Sequence, residues 1–308
     1  MNKFLILSLL ALGYQSASAQ LVTESFGSGD NSFTMEFVTI GNPGNAADIT
    51  GYGSVAYTYN LGKYEVSRGQ IDKANAAGSL GITMYDMSSI GGNGANRPAT
   101  EISWNEAATH VNWLNTSTGN TAAYKFVGGT FQLWSPTDAG YNANNMFRNS
   151  NAKFWLPSTD EWYKGAYGGL NGTWNNFPTG SDSVPMAVAG GTDANTAVYG
   201  QTFTRGRPAD ITNAGGLSPY GTMGQGGNVQ EWIETAYDGS NDTVGERQEM
   251  RGGDWFSFSS DLDASGRTFA IPSHYFLSYG FRVAMVPEPS SLSLLALGGV
   301  VVALRRRR

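Results

Sequence analysis

The stretch FTMEFVTI, Phe33 to Ile40, reads as a strand, and so do SVAYTYNLGKYEV (54–66) and YGFRVAMV (279–286). Three other segments switch to helical spacing. SRGQIDKANAAG opens on Ser67, SWNEAATHVNWLN on Ser103 and STDEWYKGAYGG on Ser158. Each serine is followed three residues later by Gln70, Glu106 or Glu161, the capping-box arrangement in which two side chains satisfy orphan backbone donors at a helix start. In the second segment Ala107, Val111 and Leu114 fall on one face. Gly78 and Gly119 are placed to stop the first two helices.

Two apolar runs at the ends carry neither period. The first, Phe4 to Leu12, follows the single cation Lys3 and precedes Ala17-Ser18-Ala19, so residues 1–19 read as a secretory signal peptide cut after Ala19. The second runs from Ser291 to Leu304, about 14 residues or about 21 Å as a helix, short of the roughly 30 Å of a bilayer core. It ends in four arginines that stay on the cytoplasmic side during export.

Between these ends the chain is rich in Gly, Asn, Thr and aromatics, with 41 glycines in 308 residues, so long ordered loops join short elements. No linker or fixed-period repeat divides it. One domain over residues 33–286 is expected, of α+β class: irregular, mixed α/β, with high loop content. Charge sharpens the picture. Loss of Lys3 and the four terminal arginines takes the net charge from −6 to −11. An acidic body has no basic face for nucleic acid and suits a soluble surface protein that holds a cation. Cysteine is absent, so neither disulfides nor thiol chemistry contribute, and one sizeable core must hold the fold.

The usual catalytic constellations are missing. His110 and His274 are the only histidines, which excludes a three-histidine metal site within one chain, and His110 lies inside the second helical segment as a packed or surface residue. No G-x-S-x-G elbow occurs, and the glycine clusters lack the lysine of a phosphate loop. Two C-terminal segments stand out instead: SPYGTMGQGGNVQEW, ending at Trp232, and RGGDW, Arg251 to Trp255, followed by GFRVA. In RGGDW the glycines allow a tight turn, Trp255 enters the core and Arg251 braces the turn.

With LGKYEVSRGQI, ATEISWNEAATHVNWLN and FWLPSTDEWYKGAYGG, these motifs follow one another in an order that resembles the sulfatase-modifying-factor or formylglycine-generating-enzyme domain. The resemblance implies a C-type-lectin-like fold. It also implies calcium on the carbonyls of Gly227 and Val229 and the carboxylate of Glu231, with Asn195 in a second, weaker site. Gly224 stands where relatives carry a further side-chain ligand. The two cysteines with which relatives bind copper fall on Ser257 and near Leu262, so no copper is expected, and no iron, because the extra histidine-bearing domain is missing. Val286-Pro287-Glu288-Pro289, the apolar run and the arginines resemble a PEP-CTERM sorting signal over 287–308, with an ordinary C-terminal anchor as the other reading.

The expected protein is exported to the envelope surface or extracellular matrix of a Gram-negative-type bacterium. Signal peptidase and an exosortase-type enzyme process it, and its membrane association is transient. Its domain is expected to be a non-catalytic binding module for polysaccharide or protein, with Trp134, Tyr141 and Trp174 as ligand-facing aromatics. The alternative is an enzyme of the same fold with cysteine-independent oxidoreductase or protein-modifying chemistry. Its polar cleft would hold Ser257, Asp254, Arg267 and Arg282.

Overall fold

The computed structural model describes residues 20–203 and 205–287; Ala19, Glu288 and Pro289 lie outside this range, and Pro287 is exposed at its edge. All three serine-headed boxes close. Ser67, Ser103 and Ser158 each accept the backbone N–H of the residue three positions on, whose side chain returns to the serine N–H. They start α1 (Arg68–Gly78), α2 (Trp104–Ser117) and α3 (Thr159–Tyr167). Helix α1 ends with Ser79 in the left-handed region, while α2 is followed by Gly119 at φ +79°.

Short strands lie between and around the helices: β1 (Leu21–Phe26), β2 (Phe33–Ile40), β3 (Tyr59–Gly62), β4 (Lys125–Val127), β5 (Thr130–Gln132), β6 (Phe154–Trp155), β7 (Met186–Ala187), β8 (Thr196–Ala197), β9 (Gln230–Ala236), β10 (Gln248–Arg251), β11 (Thr268–Ala270), β12 (Tyr279–Gly280) and β13 (Ala284–Met285). One antiparallel sheet has the order β1-β2-β3-β13-β6. A second has the order β11-β10-β9-β12, in which β12 runs parallel to β9. The pairs β4-β5 and β7-β8 stand apart.

Three sequence expectations change. The fold begins upstream of residue 33, because β1 pairs with β2 from Leu21↔Val38 to Phe26↔Phe33 and buries Phe26. Of SVAYTYNLGKYEV only Tyr59–Gly62 joins a ladder; beyond it Glu65 turns inward to accept the Val229 N–H. YGFRVAMV divides between the two sheets, with Tyr279–Gly280 in one and Ala284–Met285 in the other. Phe281, Arg282 and Val283 bridge the sheets and are fully buried.

The main core gathers the inner faces of β2 and β3 with α2 and the strands that close on them. Trp104 at the start of α2 donates its indole N–H to the Ile233 carbonyl, and Trp232 donates to the Ile102 carbonyl, so helix and sheet hold each other through two reciprocal indole bonds. Both rings are fully buried, which adds apolar burial, on the order of 1.5–3 kcal/mol for a large side chain, to satisfied indole donors.

Candidate functional site

Strand β10 ends at Arg251, and the chain then makes a turn that only glycine fits. Gly252 sits at φ +92°, and a Cβ there would fall 2.8 Å from the Gln225 carbonyl oxygen. Arg251 is buried: its Nε donates to Glu249 at 2.6 Å, its Nη1 to the carbonyls of Ala264 and Gly266, and its guanidinium lies over the Tyr52 ring. Trp255 is fully buried among Val198, Ala209 and Val229. The turn is therefore held from both ends.

The residues just after it form the site's floor. Ser257 and Leu262 converge, since the Ser257 Cβ and the Leu262 Cδ1 both lie 3.1 Å from where a Cβ on Gly253 would stand. Ser257 donates its hydroxyl to Asp254 Oδ1 at 3.1 Å and accepts the Asp254 N–H. The same carboxylate accepts from the backbone of Phe256 and Ser257 and from the Ser278 hydroxyl. Burial pushes the Asp254 carboxyl above its usual range. His110 is buried in the main core region against Phe281, and His274 is exposed beside Tyr279. Leu262 is fully buried with Phe177 and Ala197.

The polar cleft expected from Ser257, Asp254, Arg267 and Arg282 does not form as one group. Arg267 donates to Tyr52, to Glu249 and to the Tyr237 carbonyl, and its guanidinium lies 4.0 Å from the centre of the Tyr237 ring. Arg282 turns the other way, to Glu231. Neither arginine shares a partner with Asp254 or Ser257, because each is drawn to a buried carboxylate on the second sheet.

The expected calcium ligands meet this second arginine. Glu231 is fully buried; Arg282 donates Nε to its Oε2 at 2.7 Å and Nη2 to its Oε1 at 2.6 Å, and the Trp162 indole donates to Oε2 at 2.7 Å. The guanidinium is completed by the carbonyls of Gly62 and Met223. Gly224 has φ +77°, and a Cβ on it would lie 3.1–3.3 Å from the carboxyl of Glu65, whose oxygens accept from Asn228 and Val229. Burial and then the charge of Glu231 raise the Glu65 pKa. Asn195, at φ 52°, belongs to another loop, where its Oδ1 accepts from Thr179. Gly227 and Val229 remain as carbonyl donors in the loop, but the charge of Glu231 is already balanced by Arg282. As a set these residues fit a bracing ion pair and do not fit a calcium ion on Glu231.

The aromatics expected to face a ligand are mostly tied down. The Trp134 indole donates to the Ala123 carbonyl, and Trp174 packs on Tyr163 with ring centres 5.5 Å apart. Tyr141 is half-buried on a loop remote in sequence from Trp174. A different ring cluster reaches solvent through Phe203 and Phe276, with Phe256 half-buried between them. Phe203, 55% exposed, lies 5.0 Å from Phe256 and 6.4 Å from Phe276, ring centre to ring centre; Phe276 is 36% exposed. Phe256 rests edge-on against Trp255 at 5.4 Å. The loop carrying Phe203 is fixed along the turn, since Gly200 N–H donates to the Ser257 carbonyl and Gln201 N–H to the Trp255 carbonyl. Sequence reasoning missed this face because its rings come from three separate loops. The available signal was the acid-free stretch QTFTRGRP (201–208).

Residues 38–286 match the sulfatase-modifying factor enzyme 1-like domain family. The chain belongs to this family. It lacks the family's catalytic cysteines, because the sequence contains no cysteine. Residues 286–308 match the PEP-CTERM protein-sorting motif, which marks the protein for export, processing by an exosortase-type enzyme and the cell envelope of a Gram-negative-type bacterium. Among the described residues no helix is long and apolar enough to cross a membrane.

Solved structures share the sulfatase-modifying-factor fold. Treponema denticola variable protein 1 superposes with a TM-score of 0.59 at 19% identity, over 86% of this chain and 99% of its own. The structure of CarF gives 0.58 at 17%, over 88% and 99%, and PvdO from Pseudomonas aeruginosa gives 0.54 at 18%, over 86% and 98%. At these identities the likeness establishes the fold alone. No curated protein is significantly similar in sequence.

Proposed function

We propose that this sulfatase-modifying-factor-like domain is a non-catalytic binding module displayed at the cell envelope or in the extracellular matrix, with polysaccharide as its ligand. The observation that carries the reading is the ring cluster in which the exposed Phe203 and Phe276 flank the half-buried Phe256, anchored on the buried Trp255 turn. Exposed ring faces stack on the apolar faces of sugar rings. The thiol-free floor beneath supports the same reading: Ser257 is spent on Asp254, and Leu262 has no ligating atom. Calcium has no assigned part in this module.

Retention of the exported chain on matrix polysaccharide from its own cells tests the proposal. Binding is expected, with loss on Phe203→Ala while the melting temperature stays near that of the parent. No retention of the parent chain defeats the reading. So does conversion of a cysteine to formylglycine in a sulfatase-type peptide.

A further inference from the structure

The charged groups around the aromatic face have an asymmetry that bears on the ligand. Every described lysine, and every described arginine but two, is engaged by a carboxylate, a backbone carbonyl or an aromatic ring. The two exceptions are Arg205 and Arg207. Both are exposed, and among the described residues neither guanidinium has an ion pair, a side-chain hydrogen bond or a ring beneath it. They flank Gly206 on the loop that presents Phe203. That loop is pinned to the Trp255 turn by the Gln201 N–H bond, and a Cβ on Gly206 would stand 2.9 Å from the Trp255 ring.

This is a local reversal of charge. The chain as a whole is acidic, yet the run from Tyr199 to Ala209 contains two arginines and no acid. Of the acids around this loop, Asp254 is buried and accepts from Ser257 and Ser278, and the partly exposed Asp210 pairs with Arg97. Two free arginines within four residues of the exposed Phe203 ring are complementary to an anion that also carries flat apolar faces. Arginine binds carboxylates through two parallel hydrogen bonds, and the rest of the acidic surface is screened beyond roughly 10 Å at moderate salt.

Resting on the binding-module reading above, we infer that the ligand is an acidic, uronate-bearing polysaccharide, its sugar faces on Phe203, Phe256 and Phe276 and its carboxylates on Arg205 and Arg207. The favoured class is a glycan and not a nucleic acid, although both are anionic and can stack. The sorting motif sends the chain to the envelope, and two free cations are few for a phosphate backbone.

Titration calorimetry on the full exported chain, with polygalacturonate and its fully methyl-esterified form, tests this, because esterification removes the charge and leaves the sugar rings. Polygalacturonate is expected to bind about tenfold or more tightly than the ester, as one or two charge-assisted bonds predict. The Arg205→Ala/Arg207→Ala variant is expected to bring it down to the level of the ester. Phe203→Ala is expected to weaken both polymers, with melting curves confirming that the variants fold. Equal affinity of the parent for acid and ester overturns the anionic class and leaves the module reading standing. Failure of the parent to bind either polymer overturns the uronate inference, and the module reading falls with it only if the chain is also not retained on matrix polysaccharide from its own cells. Tighter binding of oligo(dT) than of polygalacturonate overturns the glycan class.

Discussion

His110 is the residue whose replacement tests the core most directly. It lies on α2, fully buried, with its ring 5.6 Å from Phe281 and 6.2 Å from Trp113, and neither ring nitrogen has a hydrogen-bond partner. Burial alone holds its pKa down to about 3 against an ordinary value near 6.5. The sign follows from linkage: the folded pKa is depressed, so the contribution to stability is intact above the unfolded pKa and is lost as pH falls from about 6.5 toward 3. Between about pH 7 and about pH 4.5 the unfolded imidazole takes up a proton that the folded one refuses. That is nearly two pH units of unmatched protonation, or about 2.5 kcal/mol at about 1.4 kcal/mol per unit. The substitution His110→Leu, close in volume, removes this loss and also removes two unpartnered nitrogens. At neutral pH it is expected to be neutral or stabilising, by up to about 2 kcal/mol. Urea unfolding followed by tryptophan fluorescence at the two pH values gives the difference between parent and variant, in which the shared carboxylates cancel. The advantage of the variant should grow by about 2 kcal/mol or more on acidification. An advantage that stays constant with pH refutes the reasoning, because the folded imidazole would then titrate like the unfolded one.

Other outcomes follow from the site. Gly252→Ala places a Cβ at φ +92° and 2.8 Å from a carbonyl oxygen, and should cost about 2–4 kcal/mol; Gly29→Ala, at φ +56° with nothing within 4 Å, should cost about 1 kcal/mol. Equal melting temperatures for the two variants would contradict the close-approach account of the turn. Arg282→Met leaves Glu231 buried without its partner and should cost about 3–5 kcal/mol, whereas adding Glu231→Gln in the same chain should recover part of the loss in a double-mutant cycle. Additive losses would show that the pair is not the unit of stability. Since Arg282 balances Glu231, a calcium chelator should move the melting temperature by less than about 1 °C; a rise that grows with calcium concentration would place the ion in the fold after all.

Features that depend on neighbours a few residues apart are legible in the chain alone. The three helix starts are of this kind, because a capping box is complete within four consecutive residues. Strand β2 has the bounds of the stretch that predicted it, Phe33 to Ile40. The absence of the family's catalytic cysteines was legible from the chain alone, and the motif order identified the family. The tight turn at Gly252 was also legible, since a glycine pair between Arg251 and Trp255 has few other uses.

The remaining features depend on which distant segments meet. YGFRVAMV looked like one strand, yet its middle leaves both ladders because Arg282 is drawn to a carboxylate 51 residues earlier in the chain. That same pairing changed Glu231 from an expected metal ligand into half of an ion pair. Trp134 and Trp174 have the composition of a ligand surface but bury their polar edge or their ring against other elements. The surface that does face solvent brings Phe203 and Phe276 together around the half-buried Phe256, and none of the three shares a periodic pattern with another. Local sequence encodes hydrogen bonds closed within a turn; exposure and charge balance are set by packing between loops, which no short window of the chain contains.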